Sequence, residues 1–248
     1  MTTDSLPTTP PAARPQWWRA ATWLAGIQTY VVAWFLPLVV VASAAILAVV
    51  SRYVPIQISA VGIALHGGIW VPFSISIILV ASYLAALVAS GMTRRSVSIG
   101  AMLTAVSTGL LYTIGFSLAL LAERWAYDRL GWQQSSANHE GLVFGAGVPD
   151  VIVGLACLFV AGNVSGLLVA AFYYRFGAWV GTLTLPVSLA PLLLTSLFAL
   201  DADSQFVPWS APFLPAPAQP VLGLLLIGAG LALFHLVIRR TPIAAKDA

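Results

Sequence analysis

The sequence predicts an all-α membrane protein: six transmembrane helices, both ends on the inner side, preceded by a short interfacial amphipathic helix. Three observations predict it. First, 60% of the 248 residues are apolar and only 8% are charged, against roughly 25% in an ordinary soluble domain. That balance excludes a water-soluble globular enzyme, a disordered chain and a nucleic-acid binder. Second, the charges leave six uncharged stretches, 20–51, 53–93, 96–122, 151–174, 176–200 and 204–238. Even the shortest, 151–174, holds one helix of the about 20 residues that cross a bilayer. Third, with the N-terminus inside, Arg14, Arg19, Arg94, Arg95, Arg175, Arg239, Arg240 and Lys246 gather on the inner side. Only Arg52, Arg124 and Arg129 fall outside, as the positive-inside rule asks. The runs are continuously apolar rather than alternating, which argues against a β-barrel.

The elements follow in order. Residues 1–13 are rich in Thr, Pro and Ala, lack a basic residue and read as a disordered cytoplasmic tail, not a signal peptide. Residues 14–26 place Trp17, Trp18 and Trp23 beside Arg19. Aromatic rings with a basic residue suit the headgroup level, so this segment reads as an elbow helix lying along the inner leaflet. The transmembrane domain covers 27–238, with spans near 27–50, 69–90, 98–122, 148–172, 178–199 and 220–238. Two outer loops are long. Residues 123–147 are mixed polar and aromatic, and 200–219 carry Pro208, Pro212, Pro215 and Pro217, which block a continuous helix. The inner loops, 90–96 and 173–177, are too short to hold a domain. Residues 239–248 form a cytoplasmic tail.

Several chemistries lack their residues. The lone lysine, Lys246, stands in no Gly-rich phosphate loop. Cys157 and the three histidines, His66, His139 and His235, have no partners at metal-ligand spacing. Apart from Asp150 at the outer end of the fourth span, the spans contain no Asp, Glu, Lys or Arg, which disfavours a proton-coupled carrier. Small-residue seams, Gly162-x-x-x-Gly166 and Gly177-x-x-x-Gly181, allow close helix approach. They are read first as packing within the chain and second as an oligomer interface.

Two short motifs carry a resemblance. Gly91-Met92-Thr93-Arg94-Arg95-Ser96 leads into span 3 through Ser98-Ile99-Gly100, a G-x-[ST]-R-R turn, and LLVAAFYYRFG (167–177) ends span 4. With the aromatic-basic start and the proline-rich 5–6 loop, the chain resembles the short permease subunits of ABC-2-type exporters. The resemblance implies a permease in a bacterial inner membrane without an ATPase site of its own. ATP and Mg would be bound by a cytoplasmic ABC ATPase partner, and a second permease copy or a sister permease would complete the assembly. It further implies an ATPase-coupling segment of Gly91, Met92, Thr93, Arg94, Arg95 and Ser96, joined by Arg175. The path, lined by spans 1, 2 and 5, would carry Gln28, Tyr30, Ser74, Ser76, Tyr83, Thr182 and Thr184. An apolar path suits export of a drug, lipid or peptide. Two alternatives stand beside it. One is a non-transporting accessory or immunity-type subunit. The other is a small lipid-modifying enzyme using Glu123, Asp128, His139, Glu140 and Asp150 of the outer loop.

Overall fold

The computed structural model describes residues 15–135, 143–144, 147–199 and 218–241. The 1–13 tail, most of the 200–219 loop, His139, Glu140 and most of the C-terminal tail lie outside the described residues. Six helices follow one another: α1 Gln16–Val50, α2 Ala60–Ala89, α3 Arg94–Leu130, α4 Val148–Leu183, α5 Leu185–Ala199 and α6 Ala218–Arg239. Among the described residues there is no strand, only an isolated bridge between Ile58 and Ser135. Among the described residues five helices are long and apolar enough to cross a membrane; α5 is shorter.

The centre of the bundle is α4, and its sequence explains why. Residues 157–172 are buried on every side, and a helix apolar all round belongs in the interior. Neighbours α2, α3, α5 and α6 surround it, while α1 packs outside against α3 and α2. Glycines set the closest approaches. A Cβ at Gly109 would lie 2.8 Å from the Val160 Cα, fixing α3 against α4, and one at Gly166 would collide with the Phe73 carbonyl oxygen of α2. The Gly162–Gly166 seam therefore faces α2 of the same chain.

Several boundaries differ from those the sequence suggests: α2 begins at Ala60 rather than near 69, α3 runs from Arg94 to Leu130 rather than over 98–122, and two further differences concern α1 and the fifth span. The expected turn between an interfacial helix and span 1 is absent, since α1 is unbroken from Gln16 to Val50. Its first turns dock on α3. Ala20 and Ala21 are buried, Gly100 opposite them leaves no room for a side chain, and the Thr104 hydroxyl donates to the Ala21 carbonyl at 3.2 Å. Gly26 alone costs a helix only about 1 kcal/mol, too little to break it there. Trp18 and Trp23 remain exposed.

The second difference is the fifth span. The helix of α4 stops at Gly177, where φ is +77° and ψ −178°, a left-handed value that favours glycine. Residues 178–183 form a further short helical stretch, and Pro186 starts α5 where a missing N–H costs nothing. The 15 residues of α5 reach about 22 Å at 1.5 Å per residue, short of the roughly 30 Å hydrocarbon core. Among the described residues, α5 and the 178–183 stretch before it take the place of the expected 178–199 span, broken at Thr184.

Candidate functional site

The described charges divide between the two ends of the bundle. Arg19, Arg94, Arg95, Arg175, Arg239 and Arg240 stand at the end where α1 and α3 begin and α2, α4 and α6 finish. No described acid accompanies them. The other end holds Glu123, Asp128 and Asp150 with Arg52, Arg124 and Arg129.

At the cationic end the α2–α3 turn is closed by backbone chemistry. Gly91 has φ +88°. Its N–H donates to the Val88 carbonyl at 3.0 Å, and the Met92 N–H donates to the Leu87 carbonyl at 3.2 Å. This pair of bonds is the Schellman closure of α2, and Met92 packs on the core beneath it. Thr93 then caps α3, its hydroxyl oxygen accepting from the Ser96 N–H at 3.2 Å. The Thr93 N–H donates to Gln16 Oε1 at 3.2 Å, tying the turn to the start of α1. Two helices are thereby joined through a four-residue link with little freedom, and Arg95 is left exposed beside it, with Arg94 half-buried. Arg175 behaves differently. Its guanidinium donates to the Val237 carbonyl at 3.1 Å and lies over the Phe176 ring, 5.0 Å from its centre, so it ties α4 to the end of α6.

The residues expected along a path are brought together only in part. Gln28 Nε2 donates to Ser76 Oγ at 3.3 Å, and Ser76 Oγ donates to Asn163 Oδ1 at 2.9 Å. Asn163 Nδ2 closes the chain on the Phe159 carbonyl at 2.9 Å. All three side chains are buried, at the junction of α1, α2 and α4. The others are scattered. Tyr30 and Ser74 are exposed, and Tyr83 is half-buried with its ring edge-on to Trp23, centroids 4.7 Å apart. Exposed Thr182 meets the Tyr173 hydroxyl at 2.9 Å, and Thr184 donates to the Gly181 carbonyl at 2.9 Å.

Beside Gln28 lies a cavity of about 20 Å³, walled mainly by Leu24, Leu84, Leu167 and Phe234, with Ser98 and Thr104 at its polar side. It has room for one water molecule, while Gln28 Oε1 has no partner within the protein. The two amides therefore differ in what they support. Asn163→Leu strands the Ser76 hydroxyl and should cost about 1 kcal/mol, the scale of interhelical side-chain bonds in membranes. Gln28→Leu removes an unsatisfied acceptor along with a long bond and should cost less than half as much. Reversible unfolding in mixed detergent micelles measures both; equal losses would contradict this ordering.

At the opposite end Glu123 is buried although it stands at the edge of the predicted third span. Its carboxylate accepts from the Ala60 N–H at 2.8 Å, the Val61 N–H at 3.1 Å, Gln134 Nε2 at 2.9 Å and the Ser59 hydroxyl. Tyr127, one turn on, donates to the Ile58 carbonyl at 3.1 Å. A negative charge at the start of α2 also suits that helix's dipole. With its donors supplied this way, Glu123 is an anchor for the α1–α2 connection. His139 and Glu140, its expected companions in an acid–base pair, lie outside the described residues. Among the described residues no three His, Cys, Asp or Glu side chains cluster as a metal site would require. Sequence reasoning missed the Ser98–His235 contact between α3 and α6, with Oγ 2.8 Å from Nδ1. Nor does it single out Asn163. No protein-family model, curated protein or solved structure matches the chain.

Proposed function

We propose that the chain is the membrane subunit of an ATP-driven exporter of ABC-2 type, working with a separate cytoplasmic ATPase that binds ATP and Mg. In this reading the cationic end faces the cytoplasm of a bacterial inner membrane, as its six described arginines favour. The observation that carries the proposal is the α2–α3 turn. An ATPase that moves a membrane helix needs a stiff point of attachment. Here a Schellman closure, a threonine cap and the Gln16 bond hold Arg95 exposed at the joint of two helices. Arginine's planar fork suits carboxylates in a partner's groove.

The interior supports an assembly of two membrane subunits. The buried core of the single chain leaves a cavity of only about 20 Å³ at the Gln28 site, too small for a drug, lipid or peptide. A path would form between two subunits, a second copy or a sister permease, and carry an apolar or amphipathic substrate. A non-transporting accessory subunit is the second reading. The closely packed interior favours it, and it predicts no dependence on nucleotide.

Charge reversal tests the attachment. The Arg94→Glu, Arg95→Glu double variant should insert as the native chain does, yet lose at least about tenfold of the ATPase activity that co-purifies with it. Undiminished co-purification would overturn the coupling role.

A further inference from the structure

The contact between Ser98 and His235 fixes more than two side chains. Arg95 lies three residues before Ser98 on α3, and Arg239 four residues after His235 on α6. Such spacings share a helix face. Because α3 begins and α6 finishes at this end, both arginines stand one turn beyond the bonded pair, towards the same surface. The 2.8 Å contact between Ser98 Oγ and His235 Nδ1 holds the two helix ends together, so Arg95 and Arg239 stand at one surface. Arg95 and Arg239 are exposed, and Arg240 follows them at the surface. The described residues place no acid at this end. The start of α3, with no acidic residue in its first turn, adds the positive end of a 37-residue helix to the same locus. Arginines in that first turn run against the helix dipole, and a bound anion would relieve both.

The seam away from this locus is apolar. On α6, Gly228, Ala232 and Leu236 are exposed, and a Cβ at Gly228 would meet nothing within 4 Å. Leu103 is exposed on α3. Beyond the cationic end, α6 thus presents exposed apolar residues along a helix long and apolar enough to cross a membrane. Charge and apolarity in that order match a phosphate headgroup joined to alkyl chains.

We propose that the Arg95–Ser98–His235–Arg239 cluster at the α3–α6 seam binds the headgroup of an anionic phospholipid from the leaflet at the cationic end. Its acyl chains would lie along the exposed face of α6. The site shares Arg95 with the α2–α3 turn but requires no ATPase, and Arg239 belongs to it alone, so Arg239 variants read it separately from the coupling role.

Native mass spectrometry of the purified full chain in detergent tests this. Phosphatidylglycerol, phosphatidylcholine of the same acyl chains and inorganic phosphate are added separately. The native chain should retain one phosphatidylglycerol about fivefold or more in preference to phosphatidylcholine, the scale of one arginine at a charged surface. Arg239→Gln should abolish that preference, Arg239→Lys should restore most of it, and Arg52→Gln, at the opposite end, should leave it unchanged. Where Arg239→Gln fails to give monodisperse protein, Arg95→Gln reads the same site from the other helix. Equal retention of the two lipids, or a preference untouched by neutralising Arg239 or Arg95, would overturn the proposal. Displacement of phosphatidylglycerol by millimolar inorganic phosphate would mark a free-phosphate site and would also overturn it.

Discussion

Replacing Glu123 with alanine should destabilise the chain by about 3 kcal/mol or more. The variant removes one carboxylate and strands three donors, the Ser59 hydroxyl and two backbone amides at the start of α2, while Gln134 Nε2 keeps its bond to the Leu120 carbonyl at 3.0 Å. Each unsatisfied buried donor costs about 1–3 kcal/mol, and bonds to a charged acceptor lie at the strong end of the range. The effect should be local first. The connection through Arg52 and Tyr53 is exposed, and losing its anchor should make Arg52 an early tryptic site in the folded chain. Glu123→Gln keeps one acceptor oxygen and should fall between alanine and the native residue. A loss below about 0.5 kcal/mol for Glu123→Ala, measured by reversible unfolding in mixed micelles, would contradict the anchoring role.

The second large effect is expected at Gly166. A valine there would drive its Cβ into the Phe73 carbonyl oxygen and within 2.9 Å of the Ser76 Cβ. Backbone cannot give way as a flexible side chain does, so α2 must move off α4. That movement also separates Ser76 from Asn163. Overpacking of this kind costs about 1–3 kcal/mol, occasionally more, and here it adds the loss of the polar chain. The expected result is a sharp fall in monodisperse protein after extraction. Gly67 provides the contrast, because a Cβ there would meet nothing within 4 Å. Gly67→Ala should be neutral or stabilising by up to about 1 kcal/mol. Similar behaviour of Gly166→Val and Gly67→Ala would contradict the close α2–α4 approach.

Much of the architecture is legible in the charges and in the apolar runs. The turn before α3 falls at Ser90–Thr93, inside the expected 90–96 loop, whose last three residues already belong to α3; local backbone chemistry at Gly91 and Thr93 decides it. The start of α4 at Val148 follows its Pro149. The misreadings have physical causes. Ending the third span at the first charge cut α3 short. The buried face Phe116–Leu120–Glu123–Tyr127 continues at helical spacing through the carboxylate, a signal that periodicity carries and charge counting hides. Splitting the N-terminal helix at the aromatic-basic segment overlooked the pairing of Ala20 and Ala21 with Gly100, a contact between residues 80 positions apart in sequence. The break at Gly177, where φ is positive, falls at the end of the expected inner loop 173–177. The polar chain of Gln28, Ser76 and Asn163 was out of reach, because only packing shows which polar residues of three helices meet.

The most direct test of the proposed function asks what touches the α2–α3 turn in the living membrane. A photo-crosslinking amino acid at Ser90, exposed beside that turn, is irradiated in host cells, with the same group at exposed Tyr53 at the opposite end as the reference. The account predicts a dominant adduct from position 90 with a nucleotide-binding protein, absent from position 53 and lost on reversing Arg94 and Arg95. Adducts from position 90 that contain no nucleotide-binding protein, or that match those from position 53, would contradict the exporter reading.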